Sequence, residues 1–167
     1  MSPRPCVYLA GFDVFRSDAF ERGVQLKALC AAHGLEGLYP LDNALPAALE
    51  GEPAARWIYQ QNVGLIRRSD ALLANLNPFR GAEPDSGTVF EVGMAVALGK
   101  PVWAWFDPAG DLRTQIPHDA TGRDAQGLAV EDFGLARNLM LACAWHGYST
   151  TAEQGVAALA AYLEAAK

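Results

Sequence analysis

The chain has 167 residues, 51% of them hydrophobic and 19% charged, and carries a net charge of −6. That length suffices for one domain, spanning 1–167, with a full core. The acidic balance argues against a nucleic-acid backbone or an anionic membrane as partner and leaves small neutral molecules open.

Residues 1–11, MSPRPCVYLAG, hold no apolar stretch of signal-peptide length. No run in the chain approaches the roughly 20 apolar residues of a membrane span. Residues 6–10, CVYLA, form a first apolar strand that Gly11 ends. Ser17 or Asp18 caps a helix running to residue 32, with Phe20, Val24, Leu26 and Leu29 as its apolar positions, and His33-Gly34 closes it. Residues 37–40 read as a weak strand with Leu41-Asp42-Asn43 as its exit loop, and 44–51 stays open between loop and one helical turn.

Pro53 marks the start of another helix. Trp57, Ile58, Val63, Leu65 and Ile66 form its apolar face, and Arg67-Arg68 lie at the end the dipole favours for cations. DALLANL, 70–76, is a strand that stops at Asn77-Pro78. A polar loop leads to Asp85, Ser86 and Thr88, which offer N-cap chemistry, and then to an apolar helix over 89–98. Gly99-Lys100-Pro101 stops that helix, and VWAWF, 102–106, is the next strand. Residues 107–132 read as a long functional or variable loop. Residues 132–144 read as a helix, and an Ala-rich amphipathic helix closes the chain to 166.

Strands alternating with helices imply βαβ units. The expected fold is α/β: a flavodoxin-like, doubly wound three-layer sandwich with a mostly parallel sheet of four to five strands. Cys6, Cys30 and Cys143 are odd in number and lack metal-knuckle spacing, which fits small apolar thiols in a reducing cytosol. A soluble cytoplasmic protein is expected.

Glu91 is the one ionisable residue inside the apolar helix of 89–98. A carboxylate there is costly to bury without a partner. Two readings fit: a ligand-facing acid beyond the carboxyl end of a strand, or a first-turn Glu favoured by the helix dipole. Other polar residues gather at predicted strand ends: Tyr8 and Asp13, then Asp42 and Asn43, then Asn75, Asn77 and Asp85, and finally Asp107. They suit a shared site, and loops are also polar simply as loops. Tyr8 fits equally a core tyrosine whose hydroxyl is bonded. Asn62 sits mid-helix, where asparagine is disfavoured and calls for a reason. His33, His118 and His146 show neither ligand nor triad spacing, so no metal site is assigned.

The segment D-x-G-T-x-F-E-x-G-x-A-x-A-L-G-K-P, from Asp85 to Pro101, closely resembles the nucleoside 2-deoxyribosyltransferase family. The resemblance extends over 8–141. It implies that Glu91 is the catalytic nucleophile and that Tyr8, in the opening Tyr8-Leu9-Ala10-Gly11, holds it by a hydrogen bond. Phe12 stands where many relatives have Pro. Asp85, six residues before Glu91, matches an active-site aspartate of the family, and N-capping is its other reading. Asp42-Asn43 matches a loop that closes over the base. Asn62 stands where some members have an Asp acting near the leaving base; a carboxamide has no acidic proton to give. Asn138 and Met140, in a Gly134-Leu135-Ala136-Arg137-Asn138-Leu139-Met140 segment, match residues that reach into a neighbouring subunit's pocket; the alternative is an ordinary amphipathic helix. Ala136 replaces the usual Pro.

The resemblance thus implies transfer of 2'-deoxyribose between nucleobases through a glycosyl-Glu91 intermediate, without metal or organic cofactor. It implies deoxynucleosides and free bases as substrates, a homo-oligomer, and a sheet order of 2-1-3-4. Two alternatives stand: an N-glycosidase that hydrolyses nucleosides or nucleoside 5'-monophosphates, and a non-catalytic nucleotide-sensing domain.

Overall fold

The computed structural model describes residues 3–107 and 110–166; Pro108 and Ala109, within the predicted loop, lie outside them. Five parallel strands form one sheet in the order β2-β1-β3-β4-β5. They are β1 (Cys6–Ala10), β2 (Glu36–Leu38), β3 (Ala71–Asn75), β4 (Val102–Trp105) and β5 (Gly147–Ser149). β1 lies in register between Leu38, opposite Tyr8, and Leu72, opposite Tyr8 from the other side. β3, at the centre, is buried along its whole length, as a parallel strand covered on both faces must be.

Alternation along the strands divides the core into two layers. Tyr8, Ala10, Leu72, Ala74 and Ala104 face α2 (Gly51–Arg68) and α3 (Ser86–Ala97), packing on Leu65, Ile66, Val92 and Ala95. Val7, Leu9, Ala71 and Leu73 face α1 (Ala19–Ala32) and α6 (Ala152–Ala165), packing on Leu26, Cys30, Val156 and Leu159. The expected three-layer α/β architecture is therefore present, and the order 2-1-3-4 holds with β5 added at the edge. Among the described residues no helix is long and apolar enough to cross a membrane.

Local chemistry sets the elements that carry the site. Asp85 caps α3, its Oδ2 accepting from Thr88 N at 2.9 Å and from Thr88 Oγ1 at 3.0 Å. Gly99, at φ 69°, ends it, with Lys100 N donating back to Ala95 O. Pro53 lies in the first turn of α2, as expected, although α2 begins two residues earlier.

One expectation needs correction, and two stretches gain detail. No helix forms across 132–138: only α5 (Leu139–Ala142) is helical, capped by Asn138. Gly134 takes φ 68°, and the fully buried Arg137 side chain is drawn inward to donate to Leu76 O. The loop of 107–132 contains a one-turn helix, α4 (Leu112–Gln115). The segment 44–51 has no helical turn before α2; the turn is instead a 3₁₀ turn at Pro40–Asp42. β5 begins directly after His146 and is three residues long, too short to announce itself by alternation; its Gly147 lies flat under Trp103, leaving no room for a Cβ.

Candidate active site

The strand order reverses between β1 and β3, and open α/β sheets place ligands in the crevice that this creates. A cavity of about 720 Å³ opens there. Its floor brings together Gly11 at the exit of β1, Asp85, Gly87, Thr88 and Glu91 from the start of α3, and Asn62 from α2. Asp42 and Asn43 line it from the loop after β2.

Glu91 lies in the sixth position of α3, and Tyr8 lies mid-strand in β1. Eighty-three residues apart, they meet: Tyr8 Oη donates to Glu91 Oε1 at 2.6 Å. Among the described residues none donates to Oε2, which leaves that oxygen free for a ligand. Burial pushes the Glu91 carboxyl up to about 7, the Tyr8 bond pulls it down, and nearby Asp85 raises it further. Burial, and the negative charge of Glu91, also push the Tyr8 phenol well above its ordinary range, so it remains a donor. A cleft carboxylate titrating near neutrality, with a dedicated donor, has the form of a functional group.

Asp85 uses Oδ2 for the cap, and its other oxygen is uncommitted; capping and cavity-lining coexist. Asn62 Oδ1 is buried without a hydrogen-bond partner, a cost that nothing within its own helix offsets. Asp42 is tied down, accepting from Tyr39 N and pairing with Lys27.

Asn138 and Met140 are not brought to this cavity. They line a separate, mainly apolar groove of about 470 Å³ beside Val89, Gly93 and Val96 of α3. Met140 is 73% exposed there. Asn138 caps α5 through Oδ1 and donates to Glu131 Oε1. Asp13, Asn75 and Asn77 also lie apart from Glu91, in a network of their own, and Asp107 N donates to Asn77.

The sequence reading missed the cavity's apolar walls: Val14, Phe15, Phe20, Leu41, Leu45, Trp57 and Ile58, with Gln61 among them. Phe20 and Val24, two of the apolar positions read on α1, are 71% and 65% exposed. The buried positions of α1 are Ala19, Gly23, Leu26 and Cys30 instead. Small residues at Ala19 and Gly23 carry that contact; Tyr39 lies where a Cβ of Gly23 would be. An apolar stripe beside a stripe of small residues was the available signal. Phe12, in place of Pro, stacks on Phe79 at 5.2 Å.

The fold and site thus define an α/β protein with a part-buried, hydrogen-bonded carboxylate in a roomy switch-point cavity. The sequence profile of the nucleoside 2-deoxyribosyltransferase family matches residues 7–140, and the chain belongs to that family. The expectation of an enzyme of this class stands with it. A 2-deoxyribosyltransferase structure from Leishmania mexicana is 34% identical, covers 95% of this chain and 98% of its own, and superposes with a TM-score of 0.75. A 2-deoxyribosyltransferase from Bacillus psychrosaccharolyticus shares the fold at 19% identity and TM-score 0.60, over 89% and 88% of the two chains. An uncharacterized protein of Schizosaccharomyces pombe is 32% identical over 81% of this chain and 74% of its own.

Proposed function

We propose that the protein transfers the 2'-deoxyribosyl group from a deoxynucleoside to a free nucleobase through a covalent bond to Glu91. The observation that carries this reading is the Tyr8–Glu91 pair at 2.6 Å, with Glu91 lining the cavity.

Glu91 Oε2 attacks C1' as the N-glycosidic bond breaks, and the base departs with the bonding electron pair. Tyr8 fixes the carboxylate from the side away from the attack. Asn62 offers the leaving base an N–H hydrogen bond, and the base takes its proton from solvent, because a carboxamide has none to give. A second base then attacks C1' through a ring nitrogen, loses its N–H proton, and frees the carboxylate. Two inversions give net retention, the logic of retaining glycosidases. The apolar walls, among them Trp57, Leu41 and Phe15, suit the faces of a base and limit the access of water that would divert the intermediate to hydrolysis. The uncommitted oxygen of Asp85 accepts a hydrogen bond from the free 5'-hydroxyl.

The exposed Met140 and the apolar groove beside α3 support an assembly in which Asn138 and Met140 complete the site of a neighbouring copy, since they reach no part of their own.

Incubation with deoxyadenosine and cytosine tests the reading. Transfer yields deoxycytidine, hydrolysis yields free deoxyribose, and a binding domain yields neither; either of the last two results contradicts the proposal.

A further inference from the structure

We infer that Asn75 and Asp13 are positioning residues that hold the wall of the substrate cavity from behind; the inference rests on the activity proposed above. Asp13 is a nearly buried carboxylate, 4% exposed, on the 3₁₀ turn Phe12–Phe15. It does not line the Glu91 cavity, but its neighbours Gly11, Val14 and Phe15 do. The turn therefore presents one side to substrate and the other to Asp13.

Beneath it, Asn75 Nδ2 donates to Asp13 Oδ2 at 2.7 Å, and Arg22 Nε donates to Asp13 Oδ1 at 3.1 Å. Asn75, 2% exposed at the end of β3, accepts in turn from Asn77 Nδ2 at 2.7 Å and from Asn77 N at 3.2 Å. Asn77 Oδ1 accepts from Asp107 N at 3.0 Å. One hydrogen-bonded relay thus crosses the exits of β1, β3 and β4.

The turn also sits directly on this relay. A Cβ at Gly11 would lie 2.7 Å from Asn75 Cβ and 2.8 Å from Asp13 Oδ2, so no side chain fits between them. The segment leaving Asn77 folds over the outside of the turn, where Phe79 stacks on Phe12 and on Phe15. A buried carboxylate is tolerated only when each oxygen is matched by a donor, and that requirement fixes the turn in one place. Glu91 and Tyr8 take no part in the relay. Its loss displaces the binding wall and leaves the reacting groups where they are.

The test is steady-state transfer from deoxyadenosine to cytosine by three variants. Asn75→Ser removes the amide donor without adding charge. Asn75→Asp sets a second carboxylate against Asp13. The double variant Asp13→Asn with Asn75→Asp reverses the pair: the introduced carboxamide donates to the introduced carboxylate and still accepts from Arg22, and the carboxylate still accepts from Asn77. Loss of binding shared by ground and transition state raises KM at constant kcat. The two single variants are expected to raise KM about tenfold or more with kcat within about threefold, and the double variant to return KM to within about threefold of wild type. Native circular dichroism at the assay temperature separates this from unfolding. A wild-type KM in folded Asn75→Ser, or a double variant no better than Asn75→Asp, overturns the inference. Absence of any turnover in the wild type overturns the proposed activity instead, and the inference with it.

Discussion

Glu91→Gln separates the cost of the active-site carboxylate from its use. The substitution keeps an acceptor for the Tyr8 hydroxyl and removes the ionisable group. In the folded chain the Glu91 carboxyl titrates near 7, chiefly through burial, against an ordinary 4.5. That rise corresponds to about 3 kcal/mol, at about 1.4 kcal/mol per decade of proton affinity. Because the folded value lies above the unfolded one, the folded state binds the proton more tightly. The contribution is fully present below pH 4.5, declines between 4.5 and 7, and is gone above. Wild type is thus penalised at neutral pH relative to a variant that carries no charge there. Urea denaturation at about pH 4 is expected to find the two proteins close in stability, and at about pH 8 to find Glu91→Gln more stable by about 3 kcal/mol. The same variant is expected to lose transfer by several orders of magnitude if Glu91 is the nucleophile proposed above. An equal stability gap at both pH values, or a wild type more stable at pH 8, refutes the reasoning.

Tyr8→Phe removes a hydrogen bond to a charged group, about 1.5–3 kcal/mol, so turnover is expected to fall roughly ten- to hundredfold. That bond also lowers the Glu91 pKa, so the acid limb of kcat/KM, which requires ionised Glu91, is expected to move to higher pH in the variant; an unmoved limb contradicts the link. In the proposed role Asp85 would disfavour a 5'-phosphate, since each pair of like unit charges at about 4 Å costs on the order of 4 kcal/mol at an effective dielectric near 20. Deoxyadenosine is expected to surpass its 5'-monophosphate in kcat/KM, and Asp85→Ser, which retains a helix cap, to narrow the ratio; equal use of both by wild type excludes this role. Inactive Glu91→Ala mixed with inactive Asn138→Ala under subunit exchange is expected to regain part of the activity, whereas a fully active monomer in sedimentation rules out a shared site.

What the sequence made legible depends on the range of each signal. Glu91 stood out because a lone carboxylate in an apolar helix is a local anomaly, and Asp85 because N-capping is a local rule. The partnership of Tyr8 with Glu91 spans 83 residues and is invisible to periodicity; only the resemblance reached it. The apolar walls were hidden for the opposite reason. Phe20, Trp57 and Ile58 fall at helical spacing like core residues, and for Phe20 it is the small residues of α1 that let its helix pack by the other face. The helix expected over 132–144 failed because a buried arginine and a left-handed glycine outweighed an apolar pattern there. Asn138 and Met140 matched a family segment, yet a single chain gives them no site to complete.

The central claim is that Glu91 becomes glycosylated. Wild-type protein incubated with a slow 2-fluoro deoxynucleoside analogue, digested and read by mass spectrometry, is predicted to yield one peptide that contains Glu91 and carries the fluorinated sugar, absent from Glu91→Gln. A label on any other residue, or base release with no labelled peptide, contradicts the account.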